Sequence, residues 1–270
     1  MTHGKKRFLS LLLAGVMTMG VLAGCAKDSG GNGSGSGNTD PGNGSGEKRD
    51  SIVIATMGET PSLSPTDHNA IAGSYMNLLT YNSLFRSDMD LNPVPDLVDT
   101  YENTSDTEWL FHLRQGVKFH DGTEMTADDV VASITYAKEQ PEINLYNGSV
   151  QSIEKVDDYT VKVTTPGPSA ILLNDLTHHG NAIVPKKLLD EGHDFNTDPV
   201  GTGPYKLVKW TRGDSLDFEA FEDYFDEEHK PQIKNMTWKI IPEGSSRTIA
   251  LEAGEVDFVV EVEPMDATTA

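Results

Sequence analysis

One cysteine stands in 270 residues. That scarcity excludes an internal disulfide, a thiolate zinc cluster and a CxxC redox site. Basic residues are few as well: 21 Lys and Arg face 42 Asp and Glu, for a net charge of −21. Removing Lys5, Lys6 and Arg7 from that figure leaves −24 for the chain beyond Cys25. Phosphate binding needs clustered Lys and Arg, so nucleic acid is excluded as a partner. The N-terminal apolar run, residues 8–21, is interrupted by Gly15 and Gly20 and is short for a membrane span. No Ser-His-Asp triad, G-x-S-x-G elbow or phosphate loop is present. Carboxylates are numerous, but none sits in a context that marks a shifted pKa from sequence. Apolar content is low, at 37%. A Gly/Ser tract dilutes it, and the remainder is rich enough in Val, Ile, Leu and aromatics to bury a core. The length suits one large domain or two ordinary ones.

Lys5, Lys6 and Arg7 form a positive n-region ahead of the apolar run, which ends in Leu22-Ala23-Gly24-Cys25. This resembles the lipobox of bacterial lipoproteins. The resemblance implies that residues 1–24 are a signal peptide, that diacylglycerol is added to the Cys25 thiol, and that cleavage precedes Cys25. Each buried methylene contributes about 0.8 kcal/mol, so two or three chains hold a protein on a membrane. Residues 26–50 carry eight glycines and no large apolar side chain, the composition of a flexible tether. About 25 residues of this kind reach ~25–30 Å. Such a tether fits the outer face of a single membrane, so a Gram-positive surface is the expected location.

Residues 51–56, SIVIAT, read as a buried strand running into a loop with Pro61 and Pro65. Ile71, Tyr75, Leu78 and Leu79 recur at helical spacing. Two prolines hold residues 91–96 extended. Asp88, Asp90 and Asn92 imitate the start of a calcium loop, but Pro93 and Asp99 stand where Gly and Glu are required, which favours a solvated loop. Trp109, Phe111 and Leu113 alternate as in a strand. Thr126 is placed to cap a helix carrying Val130, Val131, Ile134 and Ala137, with Asp128 and Asp129 at its positive end. Residues 150–156 and 159–165 predict a hairpin around Asp157-Asp158. Ser169 is expected to cap a helix that ends at Gly180, and Ile183-Val184 to form a short strand before a helix started by Pro185. Neighbouring helical side chains diverge by about 100°, so His178 and His179 are not expected to share a metal. Further on, residues 216–220 and 236–241 read as strands, 245–253 as a helix and 256–260 as a strand. Asp226, Glu227, Glu228 and His229 read as a solvated acidic face.

The stretch DPVGTGPYKLVKW, residues 198–210, combines Gly201 and Gly203 with an alternating strand. Its order of loop, glycines, strand is not that of a dinucleotide fingerprint, so a tight structural entry into the strand is expected, with glycine required for its backbone angles. Together with Tyr224-Phe225, with EAGEVD at residues 252–257, and with EWLFHLRQGVKFHDGTEMTADDVVASITYA at residues 108–137, this stretch resembles the family 5 solute-binding proteins of ABC transporters, the peptide- and nickel-binding type.

The resemblance implies a mixed α/β fold: the first lobe of a two-lobed periplasmic-binding-protein-like architecture. Subdomain I would comprise residues 51–80 and 180–260, with subdomain II, residues 81–179, inserted between them. Members are usually about twice this length, so residues 261–270 would begin a second lobe that the sequence does not contain, and truncation is expected. By position after the first strand, Glu59, Thr60, Pro61 and Ser62 are the carried-over ligand-binding candidates. The implied role is that of a lipid-anchored, monomeric extracytoplasmic binding subunit for oligopeptides or dipeptides. It would work with permease and ATPase subunits, need no cofactor and catalyse nothing. Two alternatives from other classes are a surface lipoprotein hydrolase acting on wall or polysaccharide, and a sensor or adhesion module using the same fold.

Overall fold

The computed structural model describes residues 49–262. Cys25, the signal segment, the tether and residues 263–270 lie outside that range. Two sheets carry the fold, and each buries the face that its apolar alternation presents.

The first sheet holds five strands. β1 (Ser51–Thr56) lies between two parallel partners, β10 (Asn235–Ile240) and β11 (Phe258–Val259). β9 (Ser215–Ala220) and β8 (Tyr205–Thr211) continue it antiparallel, giving the order β11-β1-β10-β9-β8. Successive side chains of a strand point to opposite faces. Ile54 therefore joins Leu63, Met76, Tyr205, Leu216, Phe218 and Trp238 under helix α1 (Ile71–Thr80). Ala55 packs on the other face against Ala250 and Val256 beside the helix Gly244–Glu252. Tyr75 of α1 stacks on Trp238 at 5.7 Å between ring centroids.

The second sheet is antiparallel throughout, in the order β4 (Val98–Ser105), β5 (Glu108–Leu113), β7 (Thr160–Thr164), β6 (Ser152–Asp157). Phe111, Val161 and Val163 pack with Val130 and Ile134 of α2 (Ala127–Glu139) into the largest core. Each such side chain contributes about 1.5–3 kcal/mol on burial. Asp129 closes a capping box, its carboxylate accepting the Thr126 N–H at 2.8 Å and the Thr126 hydroxyl at 3.1 Å. A short pair, β2 (Phe85–Ser87) with β3 (Pro93–Pro95), turns through a loop in which Asp88 accepts the N–H groups of Asp90 and Asn92.

Four local expectations fail, each for a tertiary reason. Residues 183–184 form no strand: Ile183 N–H donates to Asn82 O, while Val184 exchanges two hydrogen bonds with the Ser133 hydroxyl on α2. Ser169 caps nothing. α3 (Leu172–Asp175) starts after Ile171 without a side-chain cap and ends well before Gly180. β11 is shorter than residues 256–260 because the Asp257 carboxylate takes the Val53 N–H at 2.9 Å in place of a strand partner. Finally, Gly201 and Gly203 do not occupy left-handed backbone conformations. They are glycine because the 201–203 segment lies against the end of α1. A Cβ at Gly203 would overlap the Thr80 peptide, and one at Gly201 would overlap the Thr80 carbonyl and the Tyr81 ring.

Candidate functional site

The loop leaving β1 carries the four carried-over positions. Glu59 is half-buried, and its Oε1 accepts the Trp210 Nε1–H at 2.8 Å and the Gly213 N–H at 3.1 Å. Its carboxylate thus fastens the loop to the β8–β9 turn, where Arg212 lies 3.2 Å over the Trp210 ring. Thr60 is buried and donates its hydroxyl to Ser62 O. The Ser62 hydroxyl accepts the Ser64 N–H at 3.0 Å and lies 3.5 Å from Asp67 Oδ2. Pro61 is exposed. In this state the polar side chains of the four hold the loop's own shape.

The same loop ends at His68 and Asn69, where three segments far apart in sequence meet. Asn69 Nδ2–H donates to the Tyr146 hydroxyl at 2.6 Å, and Asn69 Oδ1 lies 3.3 Å from His178 Nε2. The Tyr146 and His178 rings stack at 3.7 Å with 8° between their planes. Gly180 N–H donates to His178 Nδ1 at 3.0 Å, so Nδ1 is the acceptor and Nε2 carries the proton it gives to Asn69. His179 follows at 4.2 Å from His178, and His68 lies 5.9 Å from His179. Burial holds His68 below its ordinary pKa, and burial with the neighbouring His179 pushes His178 down to about 4; burial does the same for His179. All three are neutral near pH 7. Nε2 of His68 and of His179 is buried and has no hydrogen-bond partner among the described residues.

His178 and His179 are not on a common α-helix as expected. His178 precedes a 3-10 turn over residues 179–181. No group of three metal-ligating side chains converges among the described residues. The cluster instead offers stacked π faces, an amide and neutral imidazoles at a half-exposed surface, which suits amides and aromatic or planar groups better than a metal ion. Tyr146 and Asn69 carried no sequence signal. They acquire meaning only through the contact.

The two stretches that carry the family resemblance touch directly. His120 N–H donates to Gly201 O at 2.8 Å, Gly201 N–H reaches His120 Nδ1 at 3.4 Å, and His120 Nε2 lies 2.9 Å from Gly203 O. Only the tautomer protonated on Nε2 satisfies both ring contacts. The Phe221 ring meets His120 edge-on at 4.9 Å, and burial pushes the imidazole down to about 4. Beside this seam, Asn82 joins four segments: its Nδ2 donates to Asp96 Oδ2 at 2.9 Å and reaches the Tyr224 hydroxyl at 3.3 Å, its Oδ1 accepts from Thr202, and its carbonyl takes the Ile183 N–H.

The model of the bacterial extracellular solute-binding proteins, family 5 (Middle), matches residues 92–270. The chain belongs to that family. The glutathione-binding protein GsiB of Pectobacterium atrosepticum is 32% identical over 216 residues, 78% of this chain and 42% of GsiB. Among solved structures, AgaA of A. tumefacien R10, in complex with agropinic acid, superposes with a TM-score of 0.75 at 31% identity, covering 81% of this chain and 45% of AgaA. The oligopeptide-binding protein AppA of Bacillus subtilis, in complex with a nonapeptide, superposes with a TM-score of 0.74 at 26% identity, covering 83% and 46%. The chain therefore spans less than half the length of these relatives. The mixed α/β architecture is the one expected, and the family is one of binding proteins, not enzymes. Among the described residues no helix is long and apolar enough to cross a membrane.

Proposed function

We propose that this chain contributes one face of the solute-binding site of an ABC importer, and that the solute is a short peptide or peptide-like amino-acid conjugate. The observation that carries the reading is the Asn69–Tyr146–His178 cluster. Three distant segments assemble a half-exposed, uncharged surface of stacked rings and an amide, the chemistry that pairs with peptide groups and planar side chains. Two relatives support the substrate class: GsiB is named for glutathione, a peptide, and AppA holds a nonapeptide. Glu59, Thr60, Pro61 and Ser62 belong to the proposed site as the loop that delivers Asn69, with main-chain groups as their contribution to the ligand. Presentation on the membrane would come from lipid on Cys25, with permease and ATPase subunits as partners and the outer surface of a Gram-positive cell as the favoured location.

Calorimetric titration with glutathione and with di- to pentapeptides tests the solute reading. Saturable binding that Tyr146→Ala weakens about tenfold or more supports it, since a lost aromatic contact is worth about 1–3 kcal/mol. Binding that is indifferent to both Tyr146→Ala and Asn69→Ala refutes the cluster as the site. For the anchor, Cys25→Ser should release the protein from the membrane fraction or block its processing, and retention like wild type would refute it.

A further inference from the structure

Behind α1 lies a cavity of about 170 Å³, separate from the ring cluster except that His179 borders both. Its lining includes the buried polar residues Asn77 and Asp96. Asn77 on α1 is 1% exposed, and neither its Nδ2 nor its Oδ1 has a hydrogen-bond partner among the described residues. Asp96 is 5% exposed. Asn82 occupies its Oδ2, while Arg114 donates to its main-chain oxygen and not to its carboxylate. Among the described residues Asp96 forms no ion pair, and neither does Arg86, which stands exposed on β2 at the border of the same cavity. Tyr224, Ser83, Thr177 and the apolar groups of Leu78, Phe85 and Pro204 are also among its lining.

Buried polar groups are rarely left without partners, and a buried carboxylate without a counter-ion is costly unless something supplies the donors. What is missing here has a definite character: a cationic N–H donor for Asp96 and for the Asn77 Oδ1, and an anion for the guanidinium at the mouth. Liquid water occupies about 30 Å³ per molecule, so the space accommodates about six heavy atoms. We propose that this cavity is a second binding site, for a small zwitterionic α-amino acid whose ammonium meets Asp96 and Asn77 Oδ1 and whose carboxylate meets Arg86. Burial raises the Asp96 carboxyl to about 6, with Arg86 and Arg114 opposing the rise, and an ammonium beside it would relieve that strain. The site is too small for a peptide and goes beyond the cleft proposed above.

The test is calorimetric titration of the full chain with L-alanine, beside propionate and ethylamine, which each lack one of its charges. Alanine is expected to bind saturably, and each analogue about tenfold to a hundredfold more weakly, because each loses a charge-assisted contact. Asp96→Asn and Arg86→Gln should weaken alanine by the same factor. The amide introduced by Asp96→Asn retains an oxygen for Asn82, and Arg86 is exposed, so both variants should give a single cooperative melt that certifies the fold. Tyr146→Ala should leave alanine binding intact while impairing peptide binding, which separates failure of this site from failure of the cleft. Absence of saturable binding to wild type, equal affinity in the Asp96→Asn and Arg86→Gln variants, or loss of alanine with Tyr146→Ala would each overturn the proposal.

Discussion

Two histidine neighbourhoods, both depressed in pKa by burial, are built to opposite plans. At His120 both ring nitrogens and the main-chain N–H have partners: Nε2 reaches Gly203 O, Nδ1 takes the Gly201 N–H, and the main-chain N–H meets Gly201 O. At His68 and His179 the Nε2 atoms are buried and unmatched, and Asn77 nearby leaves its whole amide unmatched. A buried hydrogen bond left unmade costs about 1–3 kcal/mol. The first plan fastens two stretches of chain together. The second holds polar groups ready for something other than the protein, at a cost in stability. Burial and pKa alone do not separate a structural histidine from a binding one; the census of partners does.

The largest effect that follows lies in the fastened region. Gly203→Ala would drive a methyl group into the Thr80 peptide, where backbone and not a flexible side chain must yield. A destabilisation of about 3 kcal/mol or more is expected, seen as a fall of about 6–12 °C in melting temperature. Gly213, beyond the same strand, meets nothing within 4 Å of an added Cβ, but its φ of +73° still strains an L-residue. A Gly203→Ala melt no lower than that of Gly213→Ala would mean the close approach to α1 is dispensable.

Next comes the imidazole itself. His120→Ala strands the Gly201 N–H and the Gly203 carbonyl and opens a cavity against Phe221, for a loss of about 3 kcal/mol. The pH dependence has a definite sign. The folded imidazole sits at about 4 against an ordinary 6.5, so the unfolded chain takes up the proton first as pH falls. The stability it contributes is complete above pH 6.5 and is lost between 6.5 and 4. His178 and His179, depressed to about 4, act in the same direction. A urea midpoint that falls from pH 7 to pH 4.5 in wild type, and falls less in His120→Ala, is the expected result.

Asp96 opposes that trend from the unfastened side. Its folded carboxyl titrates near 6 against an ordinary 3.8, so the folded state takes its proton first. This group therefore raises stability as pH falls from 6 to 3.8, and withholds up to about 3 kcal/mol above pH 6. The charges around it are Arg86, Arg114 and Asp226, with Asn82 donating. Asp96→Asn should raise the urea midpoint at pH 7 and leave it unchanged near pH 4. No gain at pH 7 would show that Arg86 and Arg114 already compensate the charge.

How far the sequence anticipated this division follows from the range of the contacts. The sheets and α2 were legible because the alternation of Trp109, Phe111 and Leu113 and the stripe of Val130, Ile134 and Ala137 are local. The need for glycine at 201 and 203 was legible, but its reason was not: it lies in Thr80 and Tyr81, about 120 residues earlier in the chain. Residues 183–184 have strand composition, yet Ser133 and Asn82 claim their backbone. The ring cluster was illegible because Asn69 stands 77 positions from Tyr146 and 109 from His178, and none of the three belongs to a motif.

The smallest stability effect is the one that tests the second plan most directly. His179→Phe keeps a flat ring of similar size beside His178 and His68, and deletes an Nε2 that bonds to nothing among the described residues. What it loses is the Nδ1 contact to the Ser74 hydroxyl at 3.3 Å, and Ser74 still donates to Ala70 O. Replacing an unmatched buried polar atom by carbon recovers part of its desolvation cost, so the two changes nearly offset. The expected shift is within about 1 kcal/mol in either direction, against about 3 kcal/mol for His120→Ala. The pH slope between 6.5 and 4 should flatten, because one depressed imidazole is gone. A loss as large as that of His120→Ala would mean that His179 is fastened after all, by water or by a bond that tightens in solution. The contrast between the two neighbourhoods would then collapse into a difference of degree.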